Sequence, residues 1–400
     1  VTTKLRRADL AMFGGTPAFE SPVVFGRPNI GNRAVLFDRF DRMLDAKWLS
    51  NGGELSREFE RRVAELAGTR YCVATCNATS ALQLAVQAAG LRGEVIVPAF
   101  TFAATAHAAA WLGVTPVFCD VDPWTGSADP RSVEELITAD TTGILGVHIW
   151  GRPRALEAMQ DVADRHGLAL IYDSAHAFGC GYAGRPIGGF GTAEVFSFHS
   201  TKFVNTFEGG ALVTDDPEIA EKASRLRNFG IASGDNVVSV GTNAKLSEAA
   251  AAMGLTSLDS MDYFVARNRE NYHRYRQGLR GIDGLTLLDI DESQRSNYQY
   301  LVVDCDTERI GVTRDDILAL LAAENVYTRR YFYPGCHRMA PYRTDRAFPG
   351  TDRVARDTFV LPTGTDLDPH DITRICDLLS FIAAHGFDIR AAMGSSGQAA

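Results

Sequence analysis

Two residues of this chain could do chemistry together. Lys202 closes the segment Glu194-Val195-Phe196-Ser197-Phe198-His199-Ser200-Thr201-Lys202, and Asp173 ends the apolar run Leu168-Ala169-Leu170-Ile171-Tyr172 upstream of it. A lysine amine condenses with aldehydes, and an aspartate can keep a pyridine nitrogen protonated so that the ring accepts electrons. A pyridoxal phosphate enzyme needs both functions. Each residue also has a plainer reading. Asp173 before Ser174 and Ala175 is an acceptable helix N-cap, and a lysine after a strand is usually a solvated loop residue. Phe196, Phe198 and Phe203 surround Lys202 with apolar bulk, which predicts a depressed pKa and a nucleophilic neutral amine.

A phosphate would also have to be held. Asn77-Ala78-Thr79-Ser80 follows an apolar run, Tyr71–Cys76, and opens a stretch rich in Ala and Leu. Small residues at a strand–helix turn let backbone N–H groups reach a phosphate, and the helix N-terminus adds favourable partial charge. An ordinary N-cap reads the same way, and Ser197 is a second hydroxyl donor that favours the phosphate. A competing motif is Gly179-Cys180-Gly181-Tyr182-Ala183-Gly184, which matches the GxGxxG string. The nucleotide-binding version must open a helix, whereas Arg185-Pro186-Ile187-Gly188-Gly189-Phe190-Gly191 follows here. A hairpin-like loop is expected, and a nicotinamide site is not.

The elements that must position these residues read as α/β. Strands are expected at Tyr71–Cys76, Glu94–Val97, Thr115–Asp120, Thr142–Ile149, Leu168–Asp173, Ala193–Phe198 and Gly210–Thr214. Helical patterns lie between several of them, at Ser80–Ala89, Ala103–Leu112, Ser132–Leu136 and Arg154–His166. A further helix begins near Glu54, with Leu55, Phe59, Val63 and Leu66 on one stripe. Short β-branched strands alternating with helices predict a mostly parallel sheet covered on both faces. Asp173 would then project from the carboxyl end of a strand, where open α/β sheets place ligands. After residue 245 the pattern changes to two long helices, Leu246–Leu258 and Asp262–Leu279, a strand Tyr298–Asp304, a helix Arg314–Glu324, a strand near Val326 and a last helix Pro369–Ala384. The expected division is a large domain over 1–245, long helices and a smaller α+β domain over 246–390, and a frayed tail over 391–400.

Bulk properties exclude several classes. With 46% hydrophobic and 22% charged residues among 400, the chain is not a disordered one. A net charge of -9 without a Lys/Arg run argues against nucleic acid as a partner, by repulsion. The seven cysteines are scattered and odd in number, a pattern of reduced core thiols rather than a disulfide framework. Cys72 and Cys76 have a spacing that metal could use, but on a buried strand they are expected to face one side as packing, so no metal is expected. No secretory apolar segment opens the chain and no stretch reaches the ~20 apolar residues of a membrane span. A cytoplasmic protein with no membrane contact is the expectation.

With these residues in hand, the chain resembles the DegT/StrS-type sugar aminotransferases, from about Phe13 to His385. The resemblance rests on Trp48-Leu49-Ser50-Asn51-Gly52, Asn77-Ala78-Thr79, Pro98-Ala99-Phe100-Thr101-Phe102, Asp173-Ser174-Ala175-His176, Phe196 to Lys202 and Glu208-Gly209-Gly210. It continues in Gly241-Thr242-Asn243-Ala244-Lys245 and Tyr331-Phe332-Tyr333-Pro334-Gly335-Cys336-His337. It implies pyridoxal phosphate fold type I, the aspartate aminotransferase-like fold, and pyridoxal 5′-phosphate as cofactor. Carried over by position, Lys202 would hold the cofactor, Asp173 its ring nitrogen, Phe102 its ring face and His176 its phenolic oxygen. Ala78, Thr79 and Ser197 would bind its phosphate. Asn243 would reach the neighbouring subunit's cofactor, which implies a homodimer with sites at the interface. The resemblance runs to the branch acting on TDP-linked 4-keto-6-deoxyhexoses. It implies L-glutamate as donor and TDP-4-keto-6-deoxy-D-glucose as acceptor, in deoxyamino sugar biosynthesis for a secondary metabolite. A nucleotide diphosphate needs cations, and Arg27, Lys245, Arg329 and Arg330 are candidates, with Tyr331 and Phe332 as further substrate contacts. A 3-aminotransferase stays open as an alternative. A sugar dehydratase on the same scaffold would carry histidine in place of Lys202, and a non-catalytic regulator would carry a DNA-binding segment that is not expected before Phe13.

Overall fold

The computed structural model describes residues 4–396. Seven strands form its main sheet: β1 (Tyr71–Thr75), β2 (Glu94–Pro98), β3 (Thr115–Cys119), β4 (Thr141–Val147), β5 (Ala169–Asp173), β6 (Ala193–Ser197) and β7 (Gly210–Thr214). They lie in the order β1-β7-β6-β5-β4-β2-β3. β7 runs antiparallel to β1 and β6, and the other neighbours are parallel. Along each strand successive side chains enter opposite cores. Ile96, Tyr172 and Phe196 pack on one face, and Val97, Ile171 and Val195 pack on the other. Helices cover both faces, which is why these strands are mostly apolar on both sides instead of alternating with polar residues. All seven expected strands form, with ends within two residues of those expected.

This topology brings the chemical residues to one edge. β5 and β6 are parallel neighbours with Asp173 opposite Val195, so their carboxyl ends lie side by side. β7 begins at Gly210, which pairs with both Thr75 and Ser197. The turn after β1 and the start of helix Ala78–Ala88 therefore sit beside Ser197. A Cβ on Gly210 would stand 2.5 Å from the backbone nitrogen of Ala78, so this close approach requires glycine.

A second, three-stranded antiparallel sheet consists of β8 (Leu285–Leu287), β9 (Leu301–Cys305) and β10 (Thr358–Leu361). It packs with the helices Met261–Gly278, Arg314–Ala323 and Pro369–Ser396. β8 and β10 are three and four residues long, too short to show a period in sequence. β9 starts at Leu301 rather than Tyr298, because Tyr298 has φ 51° and cannot continue a strand. Helices Arg33–Ala46 and Pro217–Arg227 were not expected. The second carries plain signals, with Asp216 as cap and Pro217 as first helical residue.

Four expectations are corrected. The division at residue 245 does not follow the packing. Ala251, Leu255 and Leu258 of helix Glu248–Asp259 enter the core of the main sheet, while Leu10 and Phe19 belong to the core of the small one. A helical period shows that one face is buried, not what buries it. The tail expected to fray from 391 is helical through Ser396, held by the fully buried Ile389 and an Arg390–Asp316 ion pair at 2.8 Å; residues 397–400 lie outside the described residues. Cys72 and Cys76 do not share a face, since Cys72 packs in one core and Cys76 in the other. β1 ends at Thr75, and the chain turns there into the helix. Finally, the last helix begins at Pro369 as expected but is 28 residues long. The loop reading of Gly179–Gly184 stands: Gly181–Tyr182 and Arg185–Pro186 form a hairpin around Ala183 and Gly184. Both turn residues have positive φ, as a two-residue hairpin turn of the I′ type requires. Among the described residues no helix is long and apolar enough to cross a membrane.

The N-terminal arm is tied down by one carboxylate. Glu324, 1% exposed, pairs with Lys4 at 3.0 Å and accepts the N–H groups of Ala11 at 2.7 Å and Ala18 at 2.6 Å. Removing it takes the counter-charge from a buried ammonium, which keeps only the Asp9 and Thr16 carbonyls, and leaves two part-buried N–H groups without their acceptor. Glu324→Ala is expected to cost about 3–5 kcal/mol, measured as a lower denaturant midpoint with an unchanged slope.

Candidate active site

Asp173 ends β5 and is buried. One carboxylate oxygen accepts from the Thr105 hydroxyl at 2.7 Å, and the other from the Ala175 N–H at 3.1 Å. Burial raises its pKa, opposed by these two hydrogen bonds and by the charges of Lys202 and His148. Lys202 lies in the turn after β6, and its Nζ is 2.7 Å from the hydroxyl of Tyr300. Burial pushes the ammonium down to about 7, against the opposing pull of Asp173. A substantial neutral fraction therefore exists near neutral pH, as a nucleophilic lysine requires.

His176 follows one turn after Asp173. Its Nδ1 accepts from the backbone N–H of Trp150 at 3.2 Å, so in the neutral ring the proton sits on Nε2. Burial lowers its pKa well below the usual value, and Lys202 adds to that. The ring is stacked on Tyr300 at 4.0 Å and 28° and on Phe332 at 5.6 Å and 18°. Trp150 presents its N–H from a left-handed conformation, φ 54°, that few non-glycine residues adopt.

At the other end of the pocket, Asn77 caps the helix by accepting from the Ser80 N–H at 2.8 Å. The first-turn residues Ala78 and Thr79 line the pocket together with Ser197. Helix dipole and backbone donors converge there on an anion-binding corner. Lys202, Asp173, His176, Ala78, Thr79, Ser197, Phe102, Arg329, Tyr331 and Phe332 all line one pocket. Phe102 is 58% exposed and 5.9 Å from Phe332.

Four candidate residues lie elsewhere. Arg27 donates to the Pro22 carbonyl at 3.2 Å and lines a neighbouring groove. Arg330 is 3.4 Å from Asp315 and 4.8 Å above the Tyr333 ring. Lys245 donates to Asn228 at 2.8 Å and lies 4.6 Å over Phe229. Asn243 is exposed and bridges the backbone of Asn228. Sequence reasoning missed Thr105 and Tyr300. Thr105 stands in an alanine-rich helix with nothing to mark it, and Tyr300 meets Lys202 across 98 residues of chain.

The model of the DegT/DnrJ/EryC1/StrS aminotransferase family matches residues 32–380. The chain belongs to that family. It is 38% identical to a dTDP-4-amino-4,6-dideoxy-D-glucose transaminase of Shigella dysenteriae, over 79% of this chain and 86% of the relative. It is 34% identical to one of Escherichia coli, over 88% of this chain and 96% of the relative. Among solved structures it is similar to DesI, crystallised in the presence of its TDP-sugar product. That likeness has 52% identity, a TM-score of 0.94, and coverage of 97% of this chain and 100% of the other. As a member of this family the chain is a pyridoxal phosphate-dependent aminotransferase with fold type I.

The residues present fit that cofactor. A buried amine of depressed pKa stands near a buried carboxylate at a strand end, and the Gly210–Ala78 approach shapes a corner that a Cβ would fill. Thr105→Val removes the hydroxyl that favours the ionised form of Asp173, so the carboxyl pKa rises further. Cofactor retention is expected to weaken about tenfold at neutral pH. On acidification it should be lost at a higher pH than in the unsubstituted enzyme, because Asp173 protonates sooner. Spectroscopic cofactor titration across pH measures both effects.

Proposed function

We propose that this aminotransferase moves the amino group of L-glutamate to the keto carbon of TDP-4-keto-6-deoxy-D-glucose, giving TDP-4-amino-4,6-dideoxy-D-glucose. The observation that carries this reading is the set of aligned groups at the carboxyl ends of β5 and β6 in a chain 52% identical to DesI over nearly its whole length. The two named bacterial relatives support the position of the amine.

Pyridoxal phosphate, when bound, supplies the carbonyl group that exchanges amines and a ring that accepts electrons. The chain's own residues have separate tasks. Asp173, ionised, would hold the proton of the ring nitrogen. The backbone N–H groups of Ala78 and Thr79 and the hydroxyl of Ser197 would hold the phosphate. His176, with its proton on Nε2, would donate toward the phenolic oxygen, and Phe102 would pack on the ring. Lys202 would anchor the cofactor and, with its amine free, take the proton from the donor's α-carbon at Nζ and later return one to the acceptor side. Arg329, with Tyr331 and Phe332, offers the sugar nucleotide a cation and aromatic faces.

We infer a homodimer from what one chain leaves incomplete. Phe37, Leu44, Trp48 and Leu49 are large apolar residues exposed on and after helix Arg33–Ala46. Asn243 and Lys245 lie outside their own chain's pocket, a position that supports a role toward a partner's site. Sedimentation is expected to return twice the mass of one chain; a fully active monomer would refute the dimer.

Lys202→Ala is expected to abolish turnover, and borohydride treatment should no longer attach cofactor to the Lys202 peptide. Turnover persisting in the purified variant would sink the lysine's assignment. With TDP-4-keto-6-deoxyglucose and glutamate, NMR of the product is expected to show an amine at C4. A C3 amine would favour the 3-aminotransferase instead.

A further inference from the structure

We propose that Tyr300 is a further catalytic residue of this site, the hydrogen-bond partner that holds the ε-amine of Lys202 whenever that amine is free. The proposal rests on the reading of Lys202 as the cofactor-bearing lysine. The phenol oxygen and Nζ are 2.7 Å apart, and Nζ lies 5.4 Å from the centre of the Tyr300 ring.

The contact is braced on both sides. Gln299, the preceding residue, donates its side-chain amide to the Thr201 carbonyl at 2.7 Å, so the two segments are tied one residue before the pair. The Tyr300 ring is 2% exposed, stacked on His176 at 4.0 Å and 6.2 Å from Phe25. It has little freedom to follow a moving amine.

The groups facing the pair keep the phenol protonated. Burial raises its pKa well above the usual value, and Tyr331, Asp173 and Cys180 act in the same direction. His176, held neutral by burial, adds no charge. A protonated phenol can accept an N–H from Lys202 in either charge state of the amine, and it bonds the ammonium more strongly than the neutral amine. A four-carbon side chain loses much rotamer freedom when held. Tyr300 thus keeps Nζ at one place over the pocket, where it can take and return a proton, and its hydrogen bond favours the protonated form.

The test uses the full chain loaded with pyridoxamine 5′-phosphate, a form in which the lysine is free. Lys202 is labelled with trinitrobenzenesulfonate across a pH series and the peptide quantified by mass spectrometry. In Tyr300→Phe the labelling midpoint is expected to fall by about 0.5–1 pH unit. The kcat should fall about tenfold with little change in the KM for glutamate, and the unfolding midpoint should hold. Gln299→Met keeps both partners, removes the brace, and should give a smaller shift of the same sign; it serves if Tyr300→Phe does not fold. Borohydride fixation of the pyridoxal form separates the two readings. Attachment at another lysine overturns both. Attachment at Lys202 with an unmoved labelling midpoint overturns the role of Tyr300 alone.

Discussion

Desolvation at the carboxyl ends of β5 and β6 governs this site. Removing water disfavours the charged forms of both Lys202 and Asp173, lowering one pKa and raising the other. The two groups partly compensate each other, since each charge favours the other's. In the proposed roles the lysine needs a usable neutral fraction, while the aspartate must stay ionised to hold a protonated ring nitrogen. Burial alone would push both toward neutrality. The Thr105 hydroxyl and the Ala175 N–H act only on the carboxylate, which is how one pocket serves two opposite requirements.

The sheet makes that desolvation possible. Strands β4, β5 and β6 are buried on both faces, and the pocket opens at their carboxyl ends, lined by Val147, Asp173 and Ser197. Placing β7 antiparallel between β1 and β6 then brings a helix N-terminus to the same edge as Asp173 and Lys202. An anion corner and a protonation pair are thereby built from three separate stretches of chain, Asn77 to Thr79, Asp173, and Ser197 to Lys202. The C-terminal part closes the pocket with aromatic rings. His176 is packed between Tyr300 and Phe332, and both of these come from beyond residue 299.

Much of this was legible in sequence, for local reasons. β-Branched runs ending in Asp173 and Ser197 mark strand ends, and Asn77 before small residues marks a helix start, because such signals act within a few residues. The hairpin at Gly181–Pro186 was equally readable, since Pro186 and the glycines exclude a helix. Asn243, Lys245, Arg27 and Arg330 were also found by motif or charge, yet their own chain turns them away from the pocket. A charge in a sequence carries no direction. Arg330 meets Asp315 because the helix Arg314–Ala323 lies beside it, a fact absent from its neighbours in the chain.

What the sequence determined by itself is the order and kind of the main-sheet elements, and which lysine, carboxylate and helix-start turn are the candidates for the site. Tertiary structure alone decided what flanks them. The helix Glu54–Ala67 begins at Gly53, which offers no capping side chain, and receives its cap from Glu248 through the N–H groups of Leu55 and Ser56. In the same way Lys202 receives Tyr300, Asp173 receives Thr105, and His176 receives the N–H that fixes its proton. Local propensity sets φ and ψ over a few residues. The partners of a buried polar group are chosen by whichever distant segment the packed core brings within hydrogen-bonding distance.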